Sequence, residues 1–225
     1  NHAIARRDWF DPWVFALDDG DEAEGDADAD ADGDTDGEGL NHFLNALRGN
    51  HDITLIVHDN QVYGLTTGQT APTTSTGTKT KSTPLGLIDR PINPIALALS
   101  AEATFVSRGY AGNIKHLTEL MKKAIQHEGI SLLDVFQPCV TFNKINTHQW
   151  FQTKIYDLQE SGHDTTNRGA AWQKSYEEEA LPIGVFYEDI TTPAHHKQLP
   201  QLQEKTLLEQ WSSTRNISTL LHQFQ

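Results

Sequence analysis

The stretch from Asn113 to Phe136 constrains the fold of this 225-residue chain more than any other. Ile114, Leu117, Leu120, Met121, Ala124 and Ile125 recur at helical spacing, so residues 113–128 predict an amphipathic helix with Asn113 as its cap and Gly129 as its stop. The apolar run Ile130-Ser131-Leu132-Leu133-Asp134-Val135-Phe136 follows at once and reads as a buried strand. The same order recurs upstream. Ile53-Thr54-Leu55-Ile56-Val57 is a short β-branched strand, Pro94 to Ser100 reads as a helix, and Thr104-Phe105-Val106 reads as a strand. Before residue 53, Phe43, Leu44, Ala46 and Leu47 form the apolar face of a short helix capped by Asn41 and stopped by Gly49. Strands alternating with helices predict an α/β fold, a parallel sheet with flanking helices.

Charge separates the two ends of the chain. Residues 1–40 hold 14 Asp and Glu against Arg6 and Arg7, a net of −12, which leaves −2 of the total −14 for residues 41–225. Trp13-Val14-Phe15-Ala16-Leu17 has the composition of a strand, but the Asp-Ala-Gly tract after it has no periodic apolar face, so residues 1–30 are expected to be an acidic, disordered segment. No basic stripe is present to displace counterions from phosphates, which disfavours nucleic acid as a partner. No apolar run approaches the roughly eighteen residues of a membrane span, and no secretory leader is evident, so a soluble cytoplasmic chain without a membrane partner is expected. The single cysteine, Cys139, excludes an internal disulfide and any metal site closed by several cysteines of this chain.

Ligands of parallel sheets bind outside the carboxyl ends of the strands. Asp32, in Ala31-Asp32-Gly33-Asp34, and Asn60, after the strand at 53–57, bring a carboxylate and a carboxamide to neighbouring strand ends. With a backbone carbonyl in the turn after Asn60, they offer three hard oxygen ligands. Mg²⁺ takes one or two such protein ligands and completes its shell with water and phosphate oxygens, so the pattern calls for a diphosphate. A rival pattern overlaps it: Asp28, Asp30, Asp32, Asp34 and Asp36 alternate around Gly33 as in a Ca²⁺-binding loop, although Gly39 stands where the bidentate Glu belongs. A Mg²⁺ ligand at Asp32, a Ca²⁺-binding module and a plain solvated acidic tail all remain open on these residues alone. His58 reads as a buried side chain behind the ligands. The Thr-, Gly- and Ser-rich stretch from Gly68 to Ser82 has the composition of a linker but the position of a functional loop. His195-His196 reads as solvent-facing, and Ile217, Leu220, Leu221 and Phe224 as an amphipathic helical tail.

Beyond these readings, several segments resemble one family. Asp32-Gly33 and Asp59-Asn60 stand at the spacing of its diphosphate signature. Gly37-Glu38-Gly39-Leu40-Asn41-His42-Phe43, Gly64-Leu65-Thr66-Thr67-Gly68-Gln69 with Pro72-Thr73, and Gln137-Pro138-Cys139-Val140-Thr141-Phe142-Asn143 resemble its other motifs. So do Asn146-Thr147 with Trp150-Phe151, Ile155-Tyr156-Asp157-Leu158 and Leu181-Pro182-Ile183-Gly184-Val185-Phe186-Tyr187, which read as packing. The family is that of the β subunits of 2-oxoacid:ferredoxin oxidoreductases, and the resemblance runs from about residue 31 to about residue 190. It implies a thiamine diphosphate-binding domain over 31–198, followed by a helical C-terminal tail over 199–225. It implies Mg²⁺ held by Asp32, Asn60 and the carbonyl of Val62, and a cofactor pocket lined by Gly33, Asp34, Asn60, Gly64, Leu65 and Thr66. Thr67 faces the substrate in this reading, at a position where some members carry lysine. Cys139 corresponds to the fourth ligand of a [4Fe–4S] cluster, whose other three cysteines lie in a segment with no counterpart here. The implied activity is oxidative decarboxylation of a 2-oxoacid to an acyl-CoA, with an α subunit, CoA and ferredoxin as partners. The activating glutamate belongs to the other subunit, so no catalytic base is assigned to this chain. The missing cysteines, Ala31 in place of glycine, and the acidic tract favour an alternative, an inactive truncated subunit that keeps the fold.

Overall fold

The computed structural model describes residues 2–3, 13–17, 39–64 and 67–211. The chain divides into two compact units, 1–195 and 196–225. In the first, seven strands among the described residues form one sheet: β1 (His2–Ala3), β2 (Trp13–Leu17), β3 (Ile53–Asp59), β4 (Phe105–Tyr110), β5 (Ile130–Phe136), β6 (Ile155–Asp157) and β7 (Leu181–Glu188). Their order is β1-β2-β3-β5-β4-β7-β6. The α/β expectation holds, with a parallel centre of β2, β3, β5 and β4. Two antiparallel pairings, β1 with β2 and β4 with β7, make the sheet mixed. Residues 2–3 and 13–17 are thus strands inside the segment expected to be disordered. β2 runs parallel to β3 with Leu17 level with Val57, which supplies an apolar strand beside β3 ahead of the acidic tract.

Among the described residues five helices flank the sheet: α1 (Leu40–Gly49), α2 (Pro94–Ser100), α3 (Ile114–Gln126), α4 (His148–Lys154) and α5 (Arg168–Ser175). Asn93, Asn113, Thr147 and Asn167 cap the last four by accepting a backbone N–H of the first turn. α1 departs from the expected pattern. It begins at Leu40 after Gly39 without a side-chain cap, so Asn41 lies inside the first turn. Its left-handed terminus is Asn50 (φ 47°) rather than Gly49. Asn tolerates that conformation, and here its side chain is held on three sides. Oδ1 accepts from the Ile130 N–H (2.9 Å) and the Thr104 hydroxyl (2.8 Å), and Nδ2 donates to the Pro193 carbonyl (3.0 Å). Gly129 (φ 124°) is required beside this hub, because an added Cβ would lie 2.5 Å from Asn50 Oδ1.

Alternation along the strands divides the core. Val57, Val106, Leu132 and Phe186 face α1, α2 and α5, with Leu47, Ile95, Leu99 and Ala171 packed on them. Ile56, Phe105, Leu133, Val135 and Val185 face α3 and meet Leu120 and Ala124. Every residue of β5 is buried, as expected of a strand covered on both faces. On α3, Ile114 is 76% exposed and Ile125 38% exposed, so the buried stripe is narrower than the sequence pattern. A third cluster of Tyr110, Phe136, Phe151 and Ile183 closes the carboxyl edge of the sheet.

In the second unit the described residues include a 3₁₀ turn at Pro200–Leu202. The tail helix expected over 216–224 lies outside the described residues. No helix among the described residues is long and apolar enough to cross a membrane.

Candidate cofactor site

The site is built on the carboxyl ends of β3 and β5, joined where Gln137 N–H donates to the Asp59 carbonyl (3.0 Å). Asn60, the first residue after β3, is buried, and its Oδ1 accepts the Val62 N–H at 3.0 Å, an Asx turn that throws Gln61 to φ 62°. Its Nδ2 is buried with no partner among the described residues. A buried carboxamide normally satisfies both ends. The Asn60 amide therefore presents an unpaired donor and, on Oδ1, a second lone pair at a strand end of a parallel sheet. These are the groups that a metal-bound diphosphate would use, and Asn60 and the Val62 turn fit it.

Gly64 is buried in the following turn, where Thr67 N–H donates to the Gly64 carbonyl (3.0 Å), Tyr63 N–H to the Gln69 carbonyl (2.9 Å) and Gly68 N–H to the Tyr63 carbonyl (2.8 Å). Thr67 is exposed at φ 69°, a costly conformation for a β-branched residue. Ala31, Asp32, Gly33, Asp34, Leu65 and Thr66 lie outside the described residues, as does the Asp28–Asp36 loop. Among the described residues no group of three His, Cys, Asp or Glu is placed to hold a metal. His195 and His196 are half-buried rather than solvent-facing, and the His195 ring lies against His51 with centroids 4.3 Å apart. His58 is half-buried with Nδ1 on the Gln137 side-chain oxygen.

Behind Asn60 lies a charged cluster that the sequence reading did not single out. Asp59 is buried, and its Oδ1 accepts the Thr73 hydroxyl at 2.7 Å. Burial foremost, and the neighbouring Asp134 charge next, push its carboxyl up to about 7, against the pull of Thr73, Arg108 and the Gln61 N–H. Arg108 Nε meets Asp134 Oδ2 at 2.6 Å, and the guanidinium lies 4.6 Å from the centre of the Phe136 ring. Arg108 and Asp134 are register partners across β4 and β5. Opposite charges inside two apolar strands were the available signal.

The stretch after Gly68 has neither helix nor strand up to Asn93, yet its threonines tie it down. The Thr74 hydroxyl accepts the Ala71 N–H (2.7 Å) and donates to the Gln61 carbonyl (2.6 Å). Two cavities flank Gln61 and Asn146. One of about 290 Å³ is lined by Thr67, Thr78, Lys79, Lys81 and Lys144, and one of about 550 Å³ by Asp59, Arg108, Trp150 and Glu178. Cys139, half-buried, lies in the turn after β5, where its Sγ accepts the Phe142 N–H at 3.4 Å.

Comparison with known proteins bears on this arrangement. Residues 29–135 match the model of the family described as "Thiamine pyrophosphate enzyme, C-terminal TPP binding domain". Residues 139–204 match the family described as the C-terminal part of the pyruvate ferredoxin oxidoreductase β chain. A 2-oxoacid:ferredoxin oxidoreductase subunit beta of a Sulfolobus species is 45% identical over 174 residues, 72% of this chain and 56% of the relative. Its counterpart from Saccharolobus solfataricus is 43% identical over 72% of this chain and 57% of the relative. The chain belongs to the 2-oxoacid:ferredoxin oxidoreductase β subunits. A solved member of that enzyme class, the 2-oxoglutarate:ferredoxin oxidoreductase from Magnetococcus marinus with 2-oxoglutarate, coenzyme A and succinyl-CoA bound, superimposes with a TM-score of 0.74. It is 30% identical, over 87% of this chain and 65% of that one. The β-subunit fold is therefore in place here, in a chain that spans about half the length of the curated relatives it matches.

Proposed function

We propose that the chain is the Mg²⁺–thiamine diphosphate-binding part of a 2-oxoacid:ferredoxin oxidoreductase, which decarboxylates a 2-oxoacid oxidatively to an acyl-CoA. The observation that carries this reading is the buried Asn60 amide at the carboxyl end of β3, whose Nδ2 has no partner among the described residues. Asp32, the Asn60 side chain and the Val62 carbonyl hold the metal, and Gly33, Asp34, Gly64, Leu65 and Thr66 line the diphosphate pocket. When bound, thiamine diphosphate supplies the carbanion chemistry and the electron sink. Thr67, exposed where its N–H closes the turn onto Gly64, faces the 2-oxoacid with a neutral hydroxyl. Cys139 supplies one thiolate to a [4Fe–4S] cluster. A four-iron cluster takes four cysteines, so the other three come from outside these 225 residues. The α subunit supplies the activating carboxyl group, and ferredoxin accepts the electrons.

Calorimetric titration with thiamine diphosphate tests the site. Binding in Mg²⁺ should vanish on adding chelator and weaken about tenfold or more in Asp32→Ala and in Asn60→Ala, since each removes a metal ligand. Equal affinity with and without chelator overturns the assignment. Addition of the α subunit and a cysteine-bearing β segment should then restore CoA-dependent ferredoxin reduction. A cofactor-binding chain that stays silent in that reconstitution is an inactive subunit.

A further inference from the structure

Three contacts stitch the loop carrying Cys139 to the loop carrying Asn60. Asn143 Nδ2 donates to the Asn60 carbonyl at 3.3 Å, and Asn146 Nδ2 donates to the Gln61 side-chain oxygen. The Phe142 ring covers Gly68 so closely that a Cβ there would lie 3.0 Å from Phe142 Cβ. The same asparagines shape the cysteine turn. Asn143 N–H donates to the Cys139 carbonyl (3.1 Å), and Asn143 Oδ1 accepts the Ile145 and Asn146 N–H groups at 3.0 and 2.9 Å. Asn143 and Asn146 are both buried, although Lys144 and Ile145 between them are exposed. Two buried side chains reach across while their neighbours face solvent, so the loop is clamped at defined points. Gln61, clamped by Asn146, holds φ 62°, and Gly68, under Phe142, holds φ 89°. A shift of the Asn60 loop therefore passes to the Cys139 turn through these contacts.

We propose that Asn143 and Asn146 are positioning residues that couple occupancy of the Asn60 loop to the geometry and accessibility of the Cys139 thiol. The proposal rests on the reading that the Asn60 loop holds Mg²⁺–thiamine diphosphate. Its consequence is that the cofactor presets the turn that presents the cluster thiolate. Coupling free energies are reciprocal, so a cap on the thiol that strains the shared contacts should in turn weaken the cofactor.

Cys139 is the only cysteine, so alkylation by iodoacetamide at fixed pH reports on it alone. Saturating Mg²⁺–thiamine diphosphate should slow alkylation of the 225-residue chain about three- to tenfold, the range of one or two hydrogen bonds of modest net strength. The alkylated chain should bind the cofactor measurably more weakly, a measurement that needs no substitution. In Asn143→Ala and Asn146→Ala, calorimetry should still show cofactor binding, while protection of the thiol falls to within about twofold of none. Failure of the unmodified chain to bind cofactor overturns the functional reading and this inference with it. Binding without protection, equal affinity of the alkylated chain, or protection that survives both substitutions overturns the inference alone.

Discussion

Replacing Arg108 by Met tests the electrostatic heart of the sheet. Arg108 Nε and Asp134 Oδ2 are 2.6 Å apart, with side chains 7% and 0% exposed, and Asp134 Oδ1 has no partner among the described residues. Methionine keeps most of the contact with Phe136 and Phe186, the two rings under the guanidinium. The loss is therefore mainly that of the charge. An unpaired buried carboxylate costs about 3–5 kcal/mol. At about 2–4 °C per kcal/mol for a chain of this size, the melting temperature should fall by roughly 6–20 °C. Arg108→Met/Asp134→Leu removes both charges and should recover most of that loss, because a buried pair contributes little net stability against apolar residues of similar volume. Urea unfolding of the parent, both single variants and the double variant at one pH gives the four values of the cycle. A loss below about 1 kcal/mol in Arg108→Met, or a double variant no better than the single, refutes the argument that burial makes this pair matter.

Asn50→Ala gives up three side-chain hydrogen bonds and puts alanine, which tolerates the left-handed region less well than asparagine, at φ 47°, so it should cost about 3 kcal/mol in urea unfolding, of which Asn50→Gly recovers about 1 kcal/mol. His127, whose Nε2 lies 2.8 Å from the Thr104 hydroxyl, is held below the ordinary histidine range by burial, against the opposing pull of Asp189 and Glu128. The unfolded chain then takes up this proton more readily, so the contribution is full above about pH 6.5 and lost as pH falls toward the depressed value. His127→Gln should flatten the stability profile below pH 6.5, and an unchanged slope counts against the assignment. Thr67→Gly should raise the melting temperature by about 2–4 °C if φ 69° strains the threonine, and no rise means that the turn is relaxed. In a reconstituted enzyme Thr67→Lys should change the ratio of kcat/KM for 2-oxoglutarate over pyruvate, since a charged donor pairs with a distal carboxylate about twice as strongly as a neutral one. A constant ratio places specificity elsewhere.

What could be read from the chain alone was whatever a few neighbouring residues decide. α3 and β5 follow from the spacing of Leu117, Leu120, Met121 and Ala124 and from the apolar run after Gly129. Asn60 was legible as a candidate site residue because a polar pair directly after a β-branched strand sits at a strand end wherever the strand lies in the sheet. The strand at 13–17 was legible too, but its composition could not say which strand it would join. Other features needed partners far apart in sequence. Arg108 finds Asp134 only through the register of β4 on β5. Asp59 is driven up only because the sheet buries it beside Asp134. The threonines of 73–83 look like linker residues until Gln61 and Asp59 are placed under Thr74 and Thr73. Asn146 reads as packing, and Asn143 as the end of the cysteine motif, because the loop they clamp lies more than eighty residues upstream. Periodicity and turn chemistry are local, so the sequence by itself determined the elements and the strand end where Asn60 stands. Burial and pairing are set by residues distant along the chain, so tertiary structure alone decided which carboxyl is pushed upward, which charges neutralise each other, and which loop the Cys139 turn touches.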